Sequence, residues 1–311
     1  MWIILRLSSR VNHNTPTSPR FYSANMNTLY PSAITGLPKP KASFTKSITS
    51  LATPLIGTKT STSHPISSPS SPPYNRDYPL FNMDALRIPP RHRPWFAALN
   101  LSIRTVMNTL DASHNYQHIR RVVSIAHRIL ETEADPASPT AAWACAIDPT
   151  VLWVACMTHD IGDAKYRAQG DTRTQEDVVL EFLATHNCPG DIMREVAKAA
   201  AGVSFSAELR DRAAVQRLAA LHPALRIVQD ADRVDALGAV GVGRCFVFGG
   251  VMEARRYGLI ESGIRLMEER FAVYGGLMKT ETGRRMAEER YNWMIGEFVT
   301  RWRKEADTSN V

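Results

Sequence analysis

The feature that most constrains this chain is the spacing of its apolar residues, which recur every three or four positions from about Trp95 onward. The first such set comprises Leu99, Ile103, Val106, Met107 and Leu110. This spacing places side chains on one face of an α-helix, whereas a half-buried strand requires strict alternation. Alternation is nearly absent, and only the apolar run at residues 245–248 has the composition of a strand. We therefore predict an all-α fold.

The same periodicity and the end signals of helices predict where the individual helices lie. Asp148 followed by Pro149 is a typical helix start, because a carboxylate caps free N–H groups and proline suits the first turn. Gly162 lies where a helix stop is expected. The predicted helices span residues 116–133, 148–159, 174–186, 191–200, 213–221 and 225–237. Two more lie between residues 264 and 304 and are separated near Gly275 and Gly276.

The first 80 residues are rich in Ser, Thr and Pro, and residues 65–73 alone contain four prolines. Because such a segment cannot bury a core, we predict that residues 1–80 form a disordered N-terminal extension. The acid-poor, Arg- and Ser-rich composition is also typical of a mitochondrial presequence, and residues 20–24 resemble a matrix-protease cleavage site. A plain disordered tail is the alternative interpretation.

The net charge of +7 is concentrated in this N-terminal segment. Residues 1–76 contain eight Lys or Arg and no Asp or Glu, so the remaining 235 residues carry a net charge of about −1. A nucleic-acid-binding domain normally has a basic surface. We therefore predict no nucleic-acid partner for the folded part.

Four cysteines occur, none of them in a CxxC pair. Their spacing matches no zinc pattern, so we expect buried, reduced thiols and a reducing compartment, either the cytoplasm or the mitochondrial matrix. No run of 18 or more apolar residues occurs, and we therefore predict no membrane span.

Histidines and an aspartate occur at positions that suit a shared site. His114 and His118 lie one turn apart on a predicted helix. His159 and Asp160 are adjacent at the end of an apolar helix, where an imidazole and a short carboxylate can both reach an ion lying over the helix end.

A group of three carboxylates, Asp230, Asp232 and Asp235, lies in an otherwise apolar helix. Burying all three unpaired would carry a large desolvation cost, and a bound cation would remove it. Mixed imidazole and carboxylate ligands suit Mn, Fe, Co, Ni, Mg or Zn without strong selection among them.

Four segments together resemble one known family. They are residues 113–122 (SHNYQHIRRV), 157–163 (MTHDIGD), 228–238 (VQDADRVDALG) and 280–290 (TETGRRMAEER). The first three, in this order, resemble the H…HD…D signature of the HD superfamily, and most closely its small stand-alone hydrolases of bacteria and fungi. The fourth resembles the C-terminal end of that subgroup. The similarity extends over residues 98–304, and we predict an HD-domain helical bundle over residues 90–305.

The resemblance implies a metal site and a reaction class. By position, the family's metal ligands fall on His118, His159, Asp160 and Asp232, which would hold one divalent cation (Mn, Ni, Co, Zn or Mg). In such proteins the metal lowers the pKa of a bound water and polarises a phosphoryl oxygen. The family commonly hydrolyses phosphate esters and anhydrides of nucleotides, and the closest subgroup includes members that act on nucleoside triphosphates.

Two neighbouring side chains are candidates for catalytic roles. Asp163 could act as a general base, or it could orient Lys165 or His159. His114 could bind the metal or a phosphate, or could be a solvated helix residue.

Basic residues near the motifs are candidates for binding phosphate, because several phosphates require several fixed cations. We predict this role for Arg121, Lys165 and Arg244, and consider Arg233 as a further candidate. A surface or structural charge is the alternative for each of them. Asp235 could orient a ligand, and Asp111 is interpreted as a helix cap.

Glycines at positions 238, 241 and 243 superficially resemble a phosphate-binding loop. Since no strand precedes them, a dinucleotide site is not predicted, and we expect the glycines to allow close helix packing.

The leading hypothesis is a metal-dependent phosphohydrolase in which metal-bound water attacks a nucleotide or a similar phosphorylated small molecule. Alternatives with the same site are a cyclic-nucleotide phosphodiesterase and a nucleoside monophosphate phosphatase. An HD-type oxygenase is a further alternative, which would need two irons and more histidines. A non-catalytic, metal-containing module that binds a nucleotide without hydrolysing it is the last alternative. The substrate, the metal and the oligomeric state stay open at this stage.

Overall fold

The computed structural model describes residues 78–168, 170–251 and 260–311. Within these ranges every regular element is helical and no strand occurs, which confirms the all-α prediction. The predicted disordered extension and the presequence fall almost entirely on residues 1–77 and lie outside the described residues.

The helices follow the chain in a simple order. They are α1 (Arg93–Met107), α2 (Tyr116–Glu133), α3 (Ala141–Ala144), α4 (Pro149–Thr158), α5 (Gln175–Ala184), α6 (Gly190–Ala201), α7 (Phe205–Arg210), α8 (Arg212–Leu221), α9 (Ala224–Asp235), α10 (Gly238–Val251), α11 (Glu261–Glu269), α12 (Glu281–Trp293) and α13 (Thr300–Glu305). Short 3-10 turns cover Pro90–His92, Phe271–Val273 and Gly275–Leu277, and a π-helical turn, Met294–Val299, joins α12 to α13.

Helices α2, α4 and α9 pack against one another at the centre of the bundle. Helix α2 is amphipathic and buries Ile119, Val122, Ala126 and Ile129 along one face. In α4 every residue from Thr150 to Thr158 is buried, which explains why its sequence has no polar face. Each large apolar side chain buried here contributes about 1.5–3 kcal/mol, so this centre is a rigid base for any residue at its helix ends.

Polar residues fix the starts of these helices, and the cap predicted at Asp148 is confirmed. Asn115 accepts a hydrogen bond from the Gln117 N–H at the start of α2, and Asp148 accepts one from the Thr150 N–H at the start of α4. Thr174 forms a capping box at the start of α5. The interpretation of Asp111 as a helix cap is wrong, because Asn115 caps α2, while Asp111 accepts hydrogen bonds from Ser113 and from the Tyr166 hydroxyl.

The apolar run at residues 245–248 lies in helix α10, so the strand signal there is wrong. Helix α10 follows α9 after a bend of 78°, at which Gly238 has a φ of +72°. At Gly241 a Cβ atom would collide with the Ala236 carbonyl and approach the Met294 side chain. Close packing at Gly241 agrees with the expectation for these glycines.

The four cysteines differ in their exposure. Cys156, Cys188 and Cys245 are buried free thiols, but Cys145 is exposed, so the expectation of burial is wrong for Cys145.

Within the described part of the chain, no single helix has both the length and the hydropathy of a membrane span. The bent pair α9 and α10 reaches that length and hydropathy only when the two helices are taken together.

Candidate metal centre

The two histidines of the predicted ligand set face each other across α2 and the end of α4. His118 Nε2 lies 3.2 Å from His159 Nε2, and Asp232 Oδ1 on α9 lies 3.5 and 3.6 Å from these two atoms. Asp160 Oδ2 approaches from the other side, 3.3 Å from His118 Nε2 and 3.4 Å from His159 Nε2. Ligands about 2.1 Å from one ion lie roughly 3.0–3.4 Å from each other, so these separations are those of ligands around a cation.

The chemistry of these donors also fits a cation. Asp160 Oδ2 is buried and has no hydrogen-bond partner within the described residues, an arrangement that costs free energy unless an ion binds there. His118, His159 and Asp232 each present one ligand atom within 4.8 Å of the others. Burial lowers the pKa of His159, but the Asp160 and Asp232 carboxylates outweigh burial and raise it to about 9. The site therefore attracts positive charge, and its donors fit one divalent cation.

Both imidazole rings are oriented by their second nitrogen. His118 Nδ1 lies 2.8 Å from Asp235 Oδ2, and His159 Nδ1 lies 2.9 Å from the Cys156 carbonyl oxygen. Such partners keep the proton on Nδ1, so that Nε2 presents a lone pair to the ion. Gln175 at the start of α5 donates to the His159 carbonyl at 2.6 Å and fixes the end of α4.

The three carboxylates of α9 have different partners, so one cation does not serve all of them. Asp230 accepts hydrogen bonds from the Lys279 N–H, the Thr280 N–H and the Thr280 hydroxyl. Asp235 is fully buried and is bound by side chains of α2 and α10. Of these three, Asp232 is the one that approaches the Nε2 atoms of His118 and His159, and its side chain is 31% exposed.

Arg121 and Arg244 both bind Asp235 in the structure. Arg121 donates through Nε and Nη2 to the two Asp235 oxygens at 2.7 and 3.1 Å. Arg244 donates from Nη1 to Asp235 Oδ2 at 3.0 Å and from Nε to the Ser113 carbonyl at 2.7 Å. Arg244 lines the cavity over the metal ligands and Arg121 does not. Both arginines therefore stabilise the buried Asp235 carboxylate, and the predicted contact of each with phosphate stays a prediction.

Lys165 bridges two carboxylates beside the ligands. Its Nζ lies 3.2 Å from Asp160 Oδ1 and 3.2 Å from Asp163 Oδ2. Burial lowers the pKa of Lys165, but Asp160 and Asp163 raise it above its ordinary value, so the ammonium is retained. The Asp163 side chain is 33% exposed and lines the cavity, and its role as a general base stays a prediction.

His114 also lines the cavity but lies outside the ligand cluster. Its ring centroid is 5.6 Å from that of His118, and its Nδ1 is 2.6 Å from the Ser113 hydroxyl. Burial holds the pKa of His114 well below its usual value, so the ring is neutral near pH 7. A neutral ring there can donate or accept one hydrogen bond, and its catalytic role stays a prediction.

Arg233, a further candidate for binding phosphate, has its charge committed elsewhere. Its side chain is 3% exposed and forms an ion pair with Glu208, and its Nη1 donates to the Leu277 carbonyl at 2.9 Å. Lys279 Nζ binds the other Glu208 oxygen at 2.6 Å. Arg233 therefore joins α9 to α7 and to the segment before α12, and it does not line the cavity.

A cavity of about 590 Å³ opens over the predicted metal ligands His159, Asp160 and Asp232. Its wall also includes residues that the sequence pattern did not single out: Phe205, Arg210, Phe248, Arg270, Phe271 and Tyr274. The short helix α7, which carries Phe205 and Arg210, has no clear apolar periodicity. Phe271 and Tyr274 have the spacing of ordinary core residues. Only the fold brings these side chains to the cavity.

Comparison with known proteins agrees with this geometry. The model of the family described as "HD domain" matches residues 115–237, a range that includes all four predicted ligands. The uncharacterized protein YpgQ of Bacillus subtilis is 28% identical over 203 residues, which are 65% of this chain and 89% of that protein.

Solved structures are also similar to this chain. The crystal structure of selenomethionine YpgQ is 26% identical, with a TM-score of 0.50, covering 69% of this chain and 98% of that one. A structure of Bacillus subtilis YpgQ in complex with ADP is 24% identical, with a TM-score of 0.48, and covers 70% of this chain and 97% of that one.

Proposed function

We propose that this chain, which belongs to the HD-type metal-dependent phosphohydrolases, hydrolyses a nucleoside triphosphate or a related nucleotide ester or anhydride. One observation carries the proposal for a nucleotide. The cavity over the metal ligands is lined both by several basic side chains and by an aromatic wall. A nucleotide combines a polyanion with a flat aromatic ring, so it matches both features.

The charge of the cavity supports a polyanionic substrate. Its lining includes the basic residues Lys165, Arg210, Arg244 and Arg270 and the acidic residues Asp160, Asp163 and Asp232. One divalent cation added to these side chains leaves the site at about +3. Such a site, shielded by protein walls, concentrates polyphosphate anions and stabilises the charge that develops during phosphoryl transfer.

The size of the cavity and its aromatic residues support a substrate of nucleotide dimensions. Its volume of about 590 Å³ lies within the range typical of small-molecule sites, roughly 300–1,000 Å³. Phe205, Phe271 and Tyr274 lie together in the cavity wall, with ring centroids 5.2 Å apart in each pair that includes Tyr274. Flat rings pack well against such a surface.

A divalent cation in this cluster would supply a Lewis acid and lower the pKa of a bound water. The chain's own residues then have separate tasks. Asp163, on the rim of the cavity, is placed to hold the proton of an attacking water. Lys165 offsets the charge of Asp160 and Asp163, and neutral His114 offers a hydrogen bond to a phosphoryl oxygen.

The test is a substrate panel with the full-length protein and Mn, Ni, Co, Zn or Mg in turn. Nucleoside tri-, di- and monophosphates and cyclic nucleotides are supplied, and released phosphate and pyrophosphate are measured separately. We expect turnover of nucleoside triphosphates, and we expect Asp160→Ala to lose bound metal and at least about 10³-fold in rate, since a metal supplies several kcal/mol. Full activity of Asp160→Ala would exclude this site.

The same panel separates the alternatives. Turnover confined to cyclic nucleotides or to monophosphates would replace the proposed substrate while keeping the metal site. Nucleotide binding without turnover under any metal would indicate a non-catalytic module. A two-iron oxygenase is disfavoured because the described residues contain one group of three or more metal-ligating side chains, and it is this one.

A further inference from the structure

We infer that Arg270, assisted by Arg210, binds a phosphate group of the substrate in the part of the cavity walled by α7 and residues 270–274. Neither of these segments carries a metal ligand. The inference rests on the proposed function, because it assigns a second anion-binding site within the same cavity. Both arginines line that cavity.

The four basic residues of the cavity differ in whether a carboxylate of the protein binds them. Lys165 is bound to two carboxylates, and Arg244 to Asp235. Arg210 and Arg270 form no ion pair with a carboxylate anywhere in the described ranges, 78–168, 170–251 and 260–311. The cations beside the metal ligands are thus largely neutralised by the protein, whereas these two keep their full charge for a ligand.

Arg270 is held against an aromatic ring of the cavity wall. Its guanidinium carbon lies 4.5 Å from the centroid of the Phe205 ring, and that ring is itself packed 5.2 Å from Tyr274. Arg270 also interacts with the Tyr274 hydroxyl. Because a guanidinium has five N–H donors, these contacts hold it in place and leave other donors to bind a phosphate oxygen.

The hydrogen bonding of Arg270 is incomplete. Arg270 Nε is buried and has no hydrogen-bond partner within the described residues. One N–H of this charged group is thus left without an acceptor, which is costly unless a ligand supplies one. Arg210 is exposed, so its contribution is more strongly screened by water and should be smaller.

The test measures binding of imidodiphosphate, a pyrophosphate analogue that resists hydrolysis, to the full-length Mg-loaded protein by calorimetry. The variants are Arg270→Gln, Arg270→Lys and Arg210→Gln. Arg265→Gln is the matched control, since Arg265 is exposed on α11 and does not line the cavity. Metal content and thermal unfolding are recorded for each variant, so that a folding defect is recognised.

We expect the Kd for imidodiphosphate to rise about tenfold in Arg270→Gln, because a charge-assisted bidentate contact is lost. Arg270→Lys should give a smaller rise, since it keeps the charge without the planar edge. Arg210→Gln should raise the Kd about threefold, and Arg265→Gln should match the wild type. If Arg270→Gln does not fold, the Arg270→Lys and Arg210→Gln values decide the question.

Wild-type affinity for imidodiphosphate in the arginine variants, or no binding by the wild type, would overturn the inference. So would a loss of affinity for adenosine with unchanged affinity for imidodiphosphate, because Arg270 would then stack a ring. Arginine-dependent binding without turnover of any nucleotide would leave this inference standing and reject the proposed function. Turnover of a nucleotide, together with imidodiphosphate binding that does not depend on the arginines, would reject this inference and leave the proposed function standing.

Discussion

Two buried ionic clusters lie beside Asp232 on helix α9, and they have nearly the same composition. In the Asp235 cluster, Asp235 binds Arg121, Arg244 and His118. In the Glu208 cluster, Glu208 binds Arg233 and Lys279. Both central carboxylates are fully buried and bind two cationic side chains. Only the Asp235 cluster includes a predicted metal ligand, so similar charge sets can serve different purposes.

The difference lies in what each cluster joins. The Asp235 cluster joins α2, α9 and α10 at the ring that presents Nε2 to the cation site. The Glu208 cluster joins α9 to α7 and to the segment before α12. We therefore expect damage to the Glu208 cluster to appear as lost stability, and damage to the Asp235 cluster to appear as lost metal affinity.

The largest expected effect is that of Glu208→Gln on stability. Removing the charge leaves Arg233 buried without its partner, and breaking such a pair costs about 3–5 kcal/mol in the free energy of unfolding. Denaturant unfolding of the metal-free protein measures this loss. The matched control is Glu195→Gln, because Glu195 pairs with His222 at the surface and should matter little. Equal stability of the two variants would contradict the assignment.

The ion pairs of Glu208 also predict how the stability of the protein depends on pH. Burial raises the pKa of Glu208, but Arg233 and Lys279 outweigh it and hold the pKa below its ordinary value. A carboxyl with a lowered folded-state pKa stabilises the protein above its unfolded pKa, about 4.3, and loses that contribution as pH falls through the folded value. The stability difference between wild type and Glu208→Gln should therefore be full near pH 7 and shrink below about pH 4. A difference that grows in acid would contradict this cause.

A smaller effect, on metal affinity, is expected for Asp235→Asn. His118 Nδ1 would lose its charged acceptor, and removing such a partner typically weakens metal binding by about 10–100-fold. Competition with a fluorescent chelator measures the change. Asp230→Asn is the control from the same helix, because Asp230 contacts no ligand and should leave metal affinity within about threefold. Equal losses in both variants would indicate a general defect of α9.

The smallest effect is expected for Arg121→Ala. The Arg121 side chain is 32% exposed, and Asp235 keeps Arg244 and His118 as partners when Arg121 is removed. We expect metal affinity to fall by no more than about threefold and stability by about 1 kcal/mol, as for a partly exposed ion pair. A loss of substrate affinity far beyond these values would favour the predicted contact between Arg121 and phosphate.

The fold was largely predictable from the sequence because helix signals are local. The predicted helix at residues 116–133 coincides with α2, and the Asp148 and Thr174 caps lie at the starts of α4 and α5. Helix α10 was missed because its glycines and aromatic residues have weak helical preference. The close approach of Gly241 to Ala236 and Met294 depends on packing that these preferences do not report.

The candidate site was predictable only in part. Motif order places four ligands, and the fold brings them together, but three carboxylates on one helix look alike in sequence. Their partners lie 49 residues away for Asp230 and 117 residues away between His118 and Asp235. Arg270 stacks on Phe205, far from it along the chain. Such pairings depend on the packing of whole helices, which periodicity does not encode.

Gly162, the predicted helix stop, follows the predicted ligand pair His159 and Asp160 after one residue. It has a φ of +70°, and a Cβ there would lie 2.7 Å from the Val178 Cβ. Both its conformation and the space beside it therefore exclude a side chain. In a saturation mutagenesis experiment, residues 159, 160 and 162 would look equally intolerant of change. Residues 159 and 160 would be intolerant because of their predicted chemistry, and residue 162 because of the path of the chain. Intolerance alone is therefore a poor guide to catalytic residues in this segment.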